Sequence, residues 1–91
     1  MISADHILKL SEEISFQSLG ENEGGVILEL QDGQLHTCND TTVAFLNLLD
    51  GHRTIAQIAT KMSEEFEVQD DVLIVDLQEL SSKLLKEGII V

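Results

Sequence analysis

Apolar residues follow two rhythms along the chain, and the change falls at Asn39. Before it, short runs alternate or cluster between glycines; after it, they recur at helical spacing. HILKL (residues 6–10) and ISFQSL (14–19) each have the length and composition of a short strand, and GENEGG (20–25) reads as a flexible polar turn. VILEL (26–30) and LHTC (35–38) flank Asp32-Gly33, the signature of a two-residue type I′ hairpin. That turn sets Leu30 opposite Leu35, Glu29 opposite His36, Leu28 opposite Thr37 and Ile27 opposite Cys38. Leu28, Leu30 and Leu35 then share one face, expected to be the core side, and Glu29 and His36 share a solvated one.

The helical part begins with Asn39 or Asp40 as N-cap and carries Val43, Phe45, Leu46, Leu48 and Leu49 up to a stop at Gly51. Thr54 and Gln57 form a capping box for a second helix, with Ile55, Ile58, Ala59, Met62 and Phe66 on its inner face. A third helix is expected from Asp70 or Asp71 to about Glu87, with Leu73, Leu77, Leu80 and Leu84 as its core stripe. It has more apolar surface than that stripe needs: Val72 and Val75 on one flank and the far side, Ile74 and Leu85 on the other. Two readings are open, an N-terminal segment wrapped over these residues or a groove for an apolar partner. LHTC carries neither Lys nor Pro, the usual guards of a sheet edge. Either that edge is free to accept a strand from another chain, or it is taken by the N-terminal strand or by the terminal Ile89–Val91.

Ninety-one residues support one domain, 1–91, with a single small core. There is no Trp or Tyr and there are three Phe, so that core is built from Leu, Ile and Val. LLDGHRTIAQIATKM (48–62) is wording common in helix-turn-helix DNA binders, but the formal net charge is −12, with seventeen acidic against five basic residues. The third helix would enter the major groove with DDVLIVD, which repels phosphate and offers almost no base-edge donors. The architecture fits a DNA reader, but the electrostatics argue against nucleic acid as partner.

The lone Cys38 has no disulfide partner and belongs to no zinc-ligand spacing, so no metal is expected. His36 and Cys38 share a strand face, yet no third group or oxyanion donor accompanies them, so no catalytic residue and no cofactor are expected. The N-terminus lacks the basic start and apolar run of a signal peptide, and no stretch reaches the roughly 20 apolar residues of a membrane span. The expectation is a cytoplasmic protein without a membrane partner.

The run N-D-T-T-V-A-F-L-N-L-L-D-G-H-R-T-I-A-Q-I (39–58), followed by D-L-Q-E-L-S-S-K-L-L-K-E-G-I-I (76–90), resembles the PqqD-like family. That family includes the chaperone of pyrroloquinoline quinone biosynthesis and the recognition elements of other ribosomally made, post-translationally modified peptides (RiPPs). The similarity runs from about Ser15 onward. It is most specific at Leu49-Asp50-Gly51 with Thr54-Ile55, and at Asp76 with Leu80, Leu84, Gly88 and Ile89.

The resemblance implies an α+β fold, a winged helix-turn-helix with an N-terminal three-stranded antiparallel sheet packed on three helices, that binds no DNA. It implies a stand-alone, non-enzymatic module holding the leader of a precursor peptide as an added antiparallel strand beside the third strand, in a cleft closed by the third helix. Carried onto this chain, the docking strand is Leu35, His36, Thr37 and Cys38. The helix wall draws on Val72, Val75, Asp76, Glu79 and Lys83, with Asp76 at the family's acidic position. Glu79 and Lys83 also have the spacing of a plain surface ion pair. Cys38-Asn39 stands where the family often has Leu-Asn, and aromatic residues are scarce, which implies a smaller or differently shaped pocket.

The implied partners are the leader peptide and a modifying enzyme, such as a radical SAM protein, or a leader peptidase, in biosynthesis of the PQQ or lasso-peptide type. The module would be a monomer or weak homodimer. A winged-helix DNA-binding regulator and a homodimerising interaction domain are the alternative functions.

Overall fold

A computed structural model of the chain describes residues 2–20, 22–66 and 68–91. The helices form where the 3.6-residue rhythm places them, α1 over Asp40–Leu48, α2 over Ile55–Phe66 and α3 over Asp70–Lys86, but α1 ends short of the expected stop at Gly51, with Leu49 as an extended C-cap. Asn39 is the N-cap of α1, its side-chain oxygen accepting the Thr42 N–H at 2.9 Å. The α2 capping box closes reciprocally: Thr54 N–H donates to Gln57 Oε1 at 2.8 Å and Gln57 N–H to Thr54 Oγ1 at 3.1 Å. Between α1 and α2, the Asp50 carboxylate accepts the N–H groups of His52 and Arg53. These bonds, that from His52 foremost, hold its carboxyl below the ordinary range.

The helices meet in a core of Phe45, Ile55, Ile58, Ala59, Met62, Leu73 and Leu77. The α3 stripe is phased slightly away from expectation. Ser81 is fully buried, with no hydrogen-bond partner for its hydroxyl among the described residues, whereas Leu80 is only half-buried.

The sheet comprises β1 (Ile14–Ser18), β2 (Gly25–Glu29) and β3 (Leu35–Cys38), antiparallel in the order β1-β2-β3. Three sequence expectations fail here. Residues 6–10 form no strand; only isolated bridges link Ile7 to Thr54 and Leu10 to Ile90. The two-residue hairpin is replaced by a four-residue loop. Leu28 pairs with Leu35 and Ile27 with His36, and Gly33 alone in the loop takes positive φ, donating its N–H to Glu29 O at 2.8 Å. A type I′ turn needs positive φ at two residues, and Asp32 does not supply it.

The third failure is the face. Ile14 and Ile27 are buried on the core side with Phe16 packed beside them, while Leu30 and Leu35 are 56% and 64% exposed on the other side with Leu28 half-buried between. Alternation within VILEL, apolar at 26, 28 and 30 with Glu29 between, points to the outer face as the buried one; Ile14 and Phe16 on β1, which share a face with Ile27, place Ile27 in the core instead.

Chain ends and turns complete the frame. Lys9 and Val91 exchange backbone bonds of 3.0 and 2.8 Å, and Ser11 N–H donates to Ile89 O, so the two terminal segments pair with one another and leave the edge of β3 alone. Gln78 of α3 donates to Ile2 O at 2.8 Å, tying the N-terminal segment to the Ile74 flank and leaving Val72 and Val75 about half exposed. The turn before β2 is built to tight tolerance: Gly24, at φ +69°, donates to Asp40 Oδ1 at 2.9 Å, and a Cβ there would lie 2.3 Å from Cys38 O. Glu21, within the expected GENEGG turn, lies outside the described residues.

Candidate functional site

Hydrogen-bond alternation determines what β3 offers at its outer edge. Glu29 N–H donates to Gln34 O at 2.8 Å, which makes 29/34 a hydrogen-bonded pair and, two residues on each time, 27/36 and 25/38 as well. His36 and Cys38 therefore spend their backbone groups on β2. Leu35 and Thr37 direct theirs outward, where no strand pairs with them among the described residues.

Beside this edge, between β3 and the C-terminal half of α3, lies a cleft of about 280 Å3. Its floor and walls include Ile27, Leu80, Leu84 and Ile89, with His36, Thr37, Cys38, Asn39 and Thr42 on one side and Lys83 and Glu87 on the other. From His36 to Asn39 an extended chain advances roughly 10 Å, and from Leu80 to Glu87 a helix rises roughly 10 Å. The two walls match in length.

His36 Nε2 lies 2.7 Å from Glu29 Oε2, a diagonal cross-strand pair on the helix side of the sheet rather than the directly opposed, solvated pair expected. Burial raises the Cys38 pKa, against an opposing backbone bond from Gly25, so the sulfur is held as a thiol. Glu29 could orient the imidazole, but no hydrogen bond joins His36 to Cys38 among the described residues.

Of the residues named from the sequence, His36, Thr37, Cys38 and Lys83 line the cleft together. Leu35 opens β3 and faces the outer side of the sheet. Val72, Val75, Asp76 and Glu79 are exposed on α3, N-terminal to the lining residues, and Asp76 stands one turn before Leu80 on the same flank. Glu79 and Lys83 form no ion pair; among the described residues only His36–Glu29 and Arg53–Asp50 do. The sequence reading missed Leu84 and Glu87 as lining residues and took Leu80 for core. The i, i+4 continuation from Asp76 through Leu80 to Leu84, and from Lys83 to Glu87, was the available signal.

A second opening of about 620 Å3 lies on another side, lined by Ser18, Asp40, Val43, Asn47, Glu65 and Phe66 among others. No group of three or more His, Cys, Asp or Glu among the described residues is placed to hold a metal, and no helix among them is long and apolar enough to cross a membrane.

A three-stranded wing whose β3 edge is left unpaired, set against the last helix of a three-helix array, defines a winged-helix domain with a strand–helix cleft. The family model described as "Coenzyme PQQ synthesis protein D (PqqD)" matches residues 24–90, and the chain belongs to the PqqD family. The fold is shared with the PqqD truncation of Methylobacterium extorquens PqqCD, described as a functional, stand-alone RiPP recognition element. The TM-score there is 0.83 at 19% identity, covering 100% of this chain and 95% of that one. It is shared also with a structure described as "Lasso peptide synthetase B1 complexed with the leader peptide", at TM-score 0.78 and 24% identity over 94% of this chain and 99% of that one. No curated protein is matched by the sequence.

Proposed function

We propose that this chain is a stand-alone, non-catalytic module that binds the leader of a ribosomally made precursor by strand addition beside β3 and presents it to a modifying enzyme or leader peptidase. The observation that carries this reading is the pair of outward backbone groups at Leu35 and Thr37 beside a cleft of matching length. Main-chain bonds along the edge supply affinity and the cleft supplies selectivity. Family membership supports the reading, as do the recognition role and the bound leader in the descriptions of the two similar structures. A radical SAM protein or a leader peptidase, in a PQQ-type or lasso-type pathway, is the enzyme class such a module serves.

Val72, Val75, Asp76 and Glu79 extend the helix wall beyond the cleft, where a longer leader would pass. A leader is disordered when free, so binding must offset its ordering entropy; micromolar affinity, near ~8 kcal/mol, is expected. Calorimetric titration with synthetic leader peptides, taken from any short precursor reading frame found beside this gene, tests the reading. Thr37→Pro removes an outward N–H and is expected to abolish binding while the fold persists. Undiminished affinity in the folded variant would falsify strand addition. Asp76→Ala is expected to weaken leaders that place a basic or amide side chain opposite it, and unchanged affinity across several such leaders removes Asp76 from the site.

A further inference from the structure

The outer face of the sheet carries no charge on its strands, and one of its two rows turns from polar to apolar toward the β3 edge, while the other, Gln17–Val26–Thr37, is polar at both ends. Outward positions on the strands are Ser15, Gln17, Val26, Leu28, Leu35 and Thr37, none of them charged in a chain of formal net charge −12. One row runs Ser15–Leu28–Leu35, polar at the β1 side and ending at the free edge in a leucine that is 64% exposed. Leu30, 56% exposed, continues the patch into the loop. No described helix or segment covers this face, and the edge lacks the charge or proline that would discourage pairing.

A strand added to β3 has an unavoidable consequence for that row. In an antiparallel pair, directly opposed residues point to the same face. Guest residues opposite His36 and Cys38 enter the cleft, and those opposite Leu35 and Thr37 stand on the outer face. The guest residue opposite Leu35 becomes the fourth member of the row and the group that can cover Leu35.

We propose that this chain reads its peptide on both faces of the added strand: alternate side chains enter the cleft, and an apolar side chain opposite Leu35 closes the Leu28–Leu30–Leu35 patch on the outside. The peptide class is therefore one with apolar residues at adjacent positions rather than at every second position. This rests on the strand-addition reading, and the experiment separates the two.

A displayed library of random twelve-residue peptides is selected in parallel on the wild-type chain and on Leu35→Thr, with Leu28→Thr as a second variant and unfolding curves to confirm that each is folded. Wild-type binders are expected to carry apolar residues at both parities, and binders to the variants at the cleft parity only. An individual wild-type binder is expected to lose about tenfold in affinity on Leu35→Thr, and nothing more when its own outward apolar residue is also replaced by Ser. The same preference at both parities in every pool, or unchanged affinity on Leu35→Thr, overturns recognition on the outer face. Failure of strand addition itself gives a different result, in which wild-type binders hold equally well to folded Thr37→Pro.

Discussion

Helix α3 has two long flanks that are finished differently. Toward α2 it is closed: Leu73, Leu77 and Ser81 are buried against a helix whose inner residues, Ile55, Ile58, Ala59 and Met62, are buried as well. Toward β3 it is open, with Leu80 half-covered and Lys83 and Glu87 at the rim of the cleft. The difference shows how a small domain keeps one surface incomplete. Packing against α2 fixes the position of the helix, so its other flank can leave apolar area and strand edge unsatisfied without loss of the fold.

The largest effect should come from attacking the closed flank. Leu77→Ala leaves a cavity under α2 and is expected to cost about 2–5 kcal/mol in urea unfolding, a large share of what a domain of this size has. A loss under 1 kcal/mol would mean that the two flanks contribute alike. The next test contrasts neighbours on β3. His36→Pro removes a ladder bond to β2 and is expected to destabilise by about 1–3 kcal/mol, whereas Thr37→Pro, whose N–H faces outward, should cost clearly less. Equal costs would show that the inward and outward assignments on β3 are wrong.

Gln57→Ala opens half of the α2 capping box and should lower stability by about 1 kcal/mol, with no change in peptide affinity, because it acts on the closed side. The smallest effect is chemical. Since burial raises the Cys38 pKa, less thiolate is present at neutral pH, and iodoacetamide should alkylate it more slowly than a free cysteine, with the rate climbing as pH rises through the raised value. Bound peptide should slow the reaction further. Alkylation at the free-cysteine rate would place Cys38 outside the cleft wall.

The helices were legible in the sequence because their signals are local: the capping box at Thr54, the N-cap at Asn39 and a clean 3.6-residue phase through α2. The sheet was legible only as to where β1, β2 and β3 lie, with one strand too many at residues 6–10. Its facing was not, because the alternation of Val26, Leu28 and Leu30 around Glu29 points the wrong way and the deciding partners, Ile14 and Phe16, are supplied by a strand more than ten positions away. The Asp32-Gly33 signal located the turn and misjudged its length, since Gly33 takes the left-handed conformation alone. At the cleft, three of the β3 positions named from the sequence, His36 to Cys38, line its wall, whereas of those named on α3 only Lys83 does. Leu80 and Leu84 look like ordinary stripe residues until the opening beside them is seen.

Gly24 and Gly25 give the cleft a tolerance of a single carbon atom. A methyl group at position 24 would meet the carbonyl that ends β3, and one at 25 would press on Gln17 O, Val43 Cγ2 and Phe16 Cε1 at 2.9 to 3.2 Å. A redesign of the cleft can vary the side chains that line it, but not these two, which lie outside the lining. The end of β3 is held where it is by a bend behind it.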